Sequence, residues 1–171
     1  MLGLTSLGVV HTAISLVALV AAIVALVRDK EIRADSAIGK VYIWTTVLTC
    51  LTGLGIFQHG GFGKPHVLAI VTLLVLATAA GVRRSQLFGA ASANVERVSY
   101  SATVFFHLIP GITETSTRLP PGAPLVASPE APELAAAGGV LLVLFVIGAV
   151  LQVRHFRAKR AAAGALNIAR P

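Results

Sequence analysis

The chain has 171 residues, of which 56% are hydrophobic and 12% are charged. Soluble domains are typically about 45–50% apolar and about 25% charged, so this composition excludes a soluble globular domain and a disordered chain. A disulfide scaffold is excluded as well, because Cys50 is the single cysteine. The sequence therefore predicts an integral membrane protein.

The excess of 14 Lys and Arg over 7 Asp and Glu fits membrane topology better than nucleic-acid binding. No basic helix with interleaved aromatic residues, as nucleic-acid-binding proteins carry, occurs in the chain. We expect no nucleic-acid partner. We expect instead that the basic C-terminal tail contacts anionic lipids of the bilayer.

The apolar segments predict an all-α bundle of five transmembrane helices in one domain. A helix needs roughly 20 apolar residues to cross a bilayer. The fourth segment is apolar only as far as Ile109, and we predict that its helix continues through a kink at Pro110 rather than re-entering the membrane. The predicted spans are 4–27, 38–57, 66–82, 98–117 and 134–153, followed by a basic tail at 154–171.

Basic residues sort by side when five spans are assumed. Twelve of them lie on one face, and only Lys64 and Arg118 lie on the other. Because cytoplasmic loops carry the excess of Lys and Arg, this pattern predicts an outer N-terminus and a cytoplasmic C-terminus. With four spans, the basic tail would share a side with Lys64. The Ala-, Gly- and Arg-rich composition indicates a bacterial inner membrane.

Two outer connections are predicted from their turn-forming residues. Residues 116–133 contain five prolines and little charge, which is typical of an extended, polyproline-like loop. Residues 60–65, Gly-Gly-Phe-Gly-Lys-Pro, predict a tight turn between the second and third spans.

Ionisable residues at membrane depth are costly and often mark a site, and here they concentrate in the outer half of the bundle. Imidazole is the commonest metal ligand, so these residues are candidate ligands of a transition metal. The candidate ligands are His11, His59, His66, His107 and Glu114.

His11 and His107 also match in depth closely enough to be the two ligands of a haem b iron. His107 shares one helical stripe with Tyr100, Thr103 and Glu114, which are spaced at i, i+3 and i+14. Such a polar stripe should face neighbouring helices rather than lipid. We therefore predict an outward-facing, histidine-lined site that binds haem or a metal for electron transfer.

Two alternatives remain open at this point. His107 and Glu114 could handle protons or a quinone near an outer cavity. The chain could instead be an accessory or scaffolding subunit, whose glycines Gly138, Gly139 and Gly148 pack against a membrane-protein partner or a second copy. No nucleophile–base pair or phosphate-binding loop is present, so enzyme activity is expected only through a bound redox cofactor.

The order of these features resembles a family of uncharacterised bacterial multi-pass membrane proteins. The resemblance covers about 9–111, roughly 60% of the chain, and rests on five elements: His11, Ile38-Gly39-Lys40-Val41-Tyr42, Thr52-Gly53-Leu54, His66 and Leu108-Ile109-Pro110-Gly111. It implies the same multi-pass fold and no particular activity.

The sequence departs from the pattern of that family at two places. Its members typically carry a His-Arg pair before the second span and another near the fourth, where this chain has Ser36-Ala37 and Glu96-Arg97. The departure removes the histidines of an inner-face site and leaves the outer histidines as the candidate site.

Overall fold

The computed structural model describes residues 5–57 and 61–168, and within them it is helical, with no β-strand. Five α-helices follow in chain order, with a single 3-10 turn, Gly89–Ala91, before the fourth. The helices are α1 (Ser6–Asp29), α2 (Ala37–Leu54), α3 (Lys64–Ser85), α4 (Ser92–Arg118) and α5 (Pro132–Ile168).

The first four helices form a bundle, and the fifth lies against its side. α1 packs on α2, α2 on α3 and α3 on α4, while α1 also touches α4 and so closes the bundle. α5 packs against α4. The most apolar stretch of α5 has none of its residues buried inside the protein, which fits a helix surrounded by lipid.

Small residues of α1 let the helices approach closely at the centre of the bundle. The buried face of α1 consists of alanines, which pack against the rings of Tyr42 on α2 and Tyr100 on α4. Small side chains at helix contacts are typical of membrane bundles, because they allow close backbone packing. These alanines are Ala18, Ala21, Ala22 and Ala25.

Four of the helices, α1, α2, α3 and α5, are long and apolar enough to cross a membrane. α4 is not among them, because it carries many polar residues. At about 1.5 Å per residue, its 27 residues still extend about 40 Å. α4 is one continuous helix through Pro110, as the kinked-span prediction required, and it lies between α3, α1 and α5.

Contacts between distant residues define the two ends of the bundle. At one end, which we call the Arg97 end, Arg97 at the start of α4 pairs with Glu31 just after α1, and Arg83 near the end of α3 pairs with Glu96. At the other, the His11 end, His11 of α1 contacts Thr52 of α2. α4 therefore runs the length of the bundle.

The helix boundaries differ from the predicted ones in two instructive places. α4 begins at Ser92, six residues before the predicted span, because Ser92 and Glu96 are buried on the same face as Tyr100. The predicted tail is not a separate segment, since α5 continues as helix to Ile168. Its run of Ala, Arg and Lys after residue 156 favours helix.

The proline-rich connection is not an extended polyproline segment, as the sequence had suggested. Between α4 and α5 the chain turns back on itself, with Val126 N–H donating to the Ser116 carbonyl and Leu125 N–H to the Leu119 carbonyl. Gly122 has a positive φ of 85°, which fits the turn it occupies. These backbone hydrogen bonds replace the solvation that an extended segment would need.

Gly39, in the first turn of α2, has almost no free space around it. An ideal Cβ built at Gly39 would lie 1.8 Å from the backbone carbonyl oxygen of Arg33. Ser36 caps α2 by accepting a hydrogen bond from Gly39 N–H at 3.1 Å, which fixes the loop against the helix. The Gly-Lys-Val-Tyr element therefore needs glycine for packing.

We expect Gly39→Ala to destabilise the protein by about 2–3 kcal/mol, because neither the helix nor the Arg33 carbonyl can move freely. Gly81→Ala is the matched control, since a Cβ at that helical position meets nothing within 4 Å. The control should be neutral or stabilising by up to about 1 kcal/mol. Thermal unfolding in detergent, followed by circular dichroism, measures both. Equal melting temperatures for the two variants would contradict the packing argument.

Candidate functional site

His11 is held against α2 at the His11 end of the bundle. Its Nδ1 lies 3.0 Å from the hydroxyl oxygen of Thr52. Gly53 makes room for the ring, because a Cβ there would lie 3.1 Å from His11 Cε1. The Thr-Gly pair of α2 thus positions the imidazole.

The hydrogen bonds of Thr52 bear on which nitrogen of His11 carries the proton. The Thr52 hydroxyl lies 2.8 Å from the carbonyl of Leu48 and 3.0 Å from that of Thr49, and donation to the helix backbone is common for threonine in helices. With the hydroxyl proton on either carbonyl, the Thr52 oxygen accepts from His11 Nδ1–H. In that arrangement neutral His11 has an unprotonated Nε2.

His107 lies on α4, one turn after Thr103. Its Nε2 is buried and has no hydrogen-bond partner. A neutral ring with its proton on Nδ1 would leave the Nε2 lone pair to a ligand. The Tyr42 ring lies beside the imidazole, with ring centroids 6.3 Å apart.

Glu114 lies on α4 two helical turns after His107, and it forms an ion pair with Arg118 one turn further along. Electrostatic interactions couple His11 to His107 and to Glu114. These three residues, on α1 and α4, are therefore the candidates for a shared site.

His66 is buried but has a different role from the other two histidines. Its Nδ1 accepts a hydrogen bond from Gly63 N–H at 3.2 Å and so caps the start of α3. Its ring stacks between Phe57 and Phe62, at centroid distances of 4.7 and 5.2 Å. Because Nδ1 is the acceptor, Nε2 carries the proton, and neutral His66 offers no free lone pair.

The predicted five-residue metal site is not supported by the described residues. Among them, no group of three or more His, Cys, Asp or Glu side chains could hold a metal ion. His59, one of the predicted ligands, lies outside the described residues. The pairing of His11 with His107 beside Glu114 stays a prediction.

The Arg97 end contains a cluster of charges that the sequence interpretation had missed. Glu31 and Arg97 form an ion pair in which each side chain is 15% exposed, and Arg97 also lies over the Phe156 ring, 4.1 Å from its centroid. Arg83 donates to the buried carboxylate of Glu96 at 2.8 Å. These contacts connect the α1–α2 loop, α3, α4 and α5.

These charges surround a polar pocket of about 190 Å³, to which three arginines and three carboxylates contribute. Arg33 completes the set by hydrogen-bonding Asp35, which lowers the pKa of the Asp35 carboxyl below its ordinary value. The charges balance within the pocket, so the arrangement needs no bound ion. The missed signal was spacing: Ser92 and Glu96 extend the Tyr100 stripe backwards in steps of four residues.

No family model, no curated protein and no solved structure matches this chain. The resemblance to uncharacterised multi-pass membrane proteins therefore stays a prediction.

A buried hydrogen bond links α2 and α4 beside the site. Tyr42 O–H and the Thr103 hydroxyl lie 2.6 Å apart, and Thr103 donates in turn to the Tyr100 carbonyl at 2.8 Å. Tyr42 is therefore the donor across the helix interface. Both side chains are fully buried.

We expect a double-mutant cycle of Tyr42→Phe and Thr103→Val to give a coupling energy of about 0.6–1.7 kcal/mol, as hydrogen bonds between membrane helices do. Reversible unfolding in mixed micelles measures the four stabilities. Thr78→Val is the control, because the exposed Thr78 bonds only its own helix in the described contacts. Its cycle with Tyr42→Phe should show no coupling. Coupling of similar size in both cycles would contradict a specific Tyr42–Thr103 bond.

Proposed function

We propose that this protein is an integral membrane electron carrier that binds one haem b between His11 and His107. The observation that carries the proposal is that His107 Nε2 is buried without a hydrogen-bond partner, while His11 contacts the Thr52 hydroxyl through Nδ1, which leaves its Nε2 to a ligand. A histidine that ligates a metal donates its other N–H to a backbone or side-chain acceptor, which fixes its tautomer. Thr52 is such an acceptor for His11 Nδ1–H.

Haem suits this pair better than a bare transition-metal ion does. A metal ion without a macrocycle takes three or four protein ligands, and the described residues contain no such group. A haem iron takes at most two axial ligands from the protein, because the porphyrin supplies the others. In helical bundles such cofactor ligands come from side chains on facing helices, as α1 and α4 provide here.

The residues around His11 and His107 would position a bound haem and shield it from water. Thr52 contacts His11 Nδ1 and would fix the orientation of that ring, and Gly53 leaves space for it. The surrounding apolar helices exclude water and lower the local dielectric constant. A bound haem would supply one-electron exchange, and the negative charge of Glu114 near His11 would favour its oxidised state.

Glu114 also favours a second candidate function, the handling of protons with a quinol. The carboxylate lies within electrostatic range of His11, and the free Nε2 atoms can accept protons. This candidate requires no haem. It predicts a colourless protein in which Glu114→Gln abolishes a quinol-dependent signal while the fold is kept.

We expect the protein, purified in detergent after expression with haem supplied, to show a Soret band that shifts on reduction. His11→Ala and His107→Ala should each reduce the bound haem at least about tenfold, because loss of an axial ligand weakens the site. His155→Ala is the control, since His155 is exposed at the Arg97 end. A colourless wild-type protein, or variants that keep full haem content, would contradict the haem proposal.

We further propose that α4 is a fifth span, with the His11 end outside and the Arg97 end in the cytoplasm of a bacterial inner membrane. Twelve of the basic residues then lie on the cytoplasmic side, as the charge rule requires. The exposed α5 leaves room for a membrane partner or a second copy.

Reporter fusions test this orientation. A reporter fused after residue 171 should indicate the cytoplasm, and one inserted at Ala123 should indicate the outside. Signals from the same side would contradict five spans.

A further inference from the structure

An apolar groove of about 670 Å³ lies between α5, α4 and the end of α1. Its walls include the rings of Phe105 and Phe145, which stack with centroids 5.5 Å apart. Gly148 also lines the groove, and a Cβ built there would meet no atom within 4 Å. The volume lies within the range of about 300–1,000 Å³ typical of ligand sites.

The length of the groove matches that of one lipid chain. From Gln152 to Leu141, its lining residues on α5 extend about 16 Å along the helix axis. Half the hydrocarbon core of a bilayer is about 15 Å thick. The groove thus fits an acyl chain that belongs to the leaflet at the Arg97 end.

The end of the groove nearest Gln152 is polar and basic. Gln152 Nε2 donates to the Lys30 carbonyl at 2.6 Å, while its Oε1 accepts from the Ser101 hydroxyl at 3.1 Å. The side chains of Lys30 and His155 line the same end of the groove and are exposed. The Lys30 ammonium donates one bond to the Val27 carbonyl at 2.9 Å, which leaves two of its N–H groups for another acceptor.

We propose that this groove binds one anionic phospholipid, with an acyl chain along α4 and α5 and its phosphate at Lys30 and His155. Charge complementarity selects this occupant, because the residues that line the groove include a lysine but no acidic side chain. A neutral lipid would fill the apolar part without balancing Lys30. A second copy of the chain would cover Lys30 with no acidic groove residue to pair with it.

The test compares retention of phosphatidylglycerol and phosphatidylcholine by the full chain, measured by native mass spectrometry from mixed micelles. We expect one phosphatidylglycerol to be retained in preference to phosphatidylcholine. Lys30→Gln should weaken that preference about fivefold, the effect of one basic residue near an anionic headgroup. Equal retention of the two lipids by the wild-type protein would overturn the proposal.

A large side chain placed in the groove tests whether the lipid binds there. Gly148→Trp should reduce phosphatidylglycerol retention at least tenfold, whereas Gly138→Trp should not, because Gly138 also lies on α5 in open space but does not line the groove. Unchanged retention in Gly148→Trp would place the lipid elsewhere and overturn the proposal.

A second measurement avoids any dependence on folding of the tryptophan variants. Phosphatidylglycerol with a photoreactive group in mid-chain should cross-link the wild-type protein at Phe105, Leu144 or Phe145. Labelling concentrated on the opposite side of the bundle, at the exposed Trp44 of α2, would contradict the groove. Neither measurement depends on haem, so the lipid proposal and the proposed function fail separately.

Discussion

One face of the fourth helix is polar and cannot face lipid, and the arrangement of the helices that cover this face follows from that constraint. Ser92, Glu96, Tyr100 and Thr103 are buried along one face of α4. An unpaired polar group in an apolar medium costs several kcal/mol, so each must find a partner inside the protein. α1 and α3 cover α4 directly, and α2 donates the Tyr42 hydrogen bond to it.

The two ends of α4 satisfy their polar groups by different means. At the Arg97 end, Glu96 and Arg97 are neutralised by ion pairs to α3 and to the α1–α2 loop. Removing one partner of such a buried pair is costly, because it leaves a charge uncompensated. At the His11 end, by contrast, neutral hydrogen bonds orient the rings and His107 Nε2 stays unpartnered. Thr46 Oγ1 and His66 Nε2 are also buried without a partner. Such atoms are rare, and the haem proposal assigns a ligand to the one on His107.

The difference between the two ends of α4 indicates which end is structural and which end is the candidate for ligand binding. At the Arg97 end the charges balance, and the ion pairs connect the α1–α2 loop, α3, α4 and α5. These contacts indicate a structural role. The His11 end contains the imidazoles of His11 on α1 and His107 on α4, and the Nε2 of His107 has no hydrogen-bond partner. The haem proposal depends on that difference, and the lipid proposal depends on a separate surface beside α5.

The helices could be predicted from the sequence because long apolar runs have few alternatives in a membrane. The pairing of His11 with His107 was predicted from depth and spacing, and it stays a prediction. The role of His66 could not be predicted, because it depends on which nitrogen meets Gly63 N–H. The charge cluster was missed because Glu31 and Arg97 are 66 positions apart and come together only in the fold. The space around Gly39 depends in the same way on a carbonyl from the preceding loop.

Electron paramagnetic resonance of the oxidised, purified protein tests the central claim most directly, since it reports the axial ligands of the iron. Two imidazoles predict a low-spin ferric signal in the wild-type protein, whereas the haem that the His11→Ala and His107→Ala variants retain should be high-spin. A protein without a haem signal, or one that stays low-spin in both variants, would contradict the assignment of these two histidines.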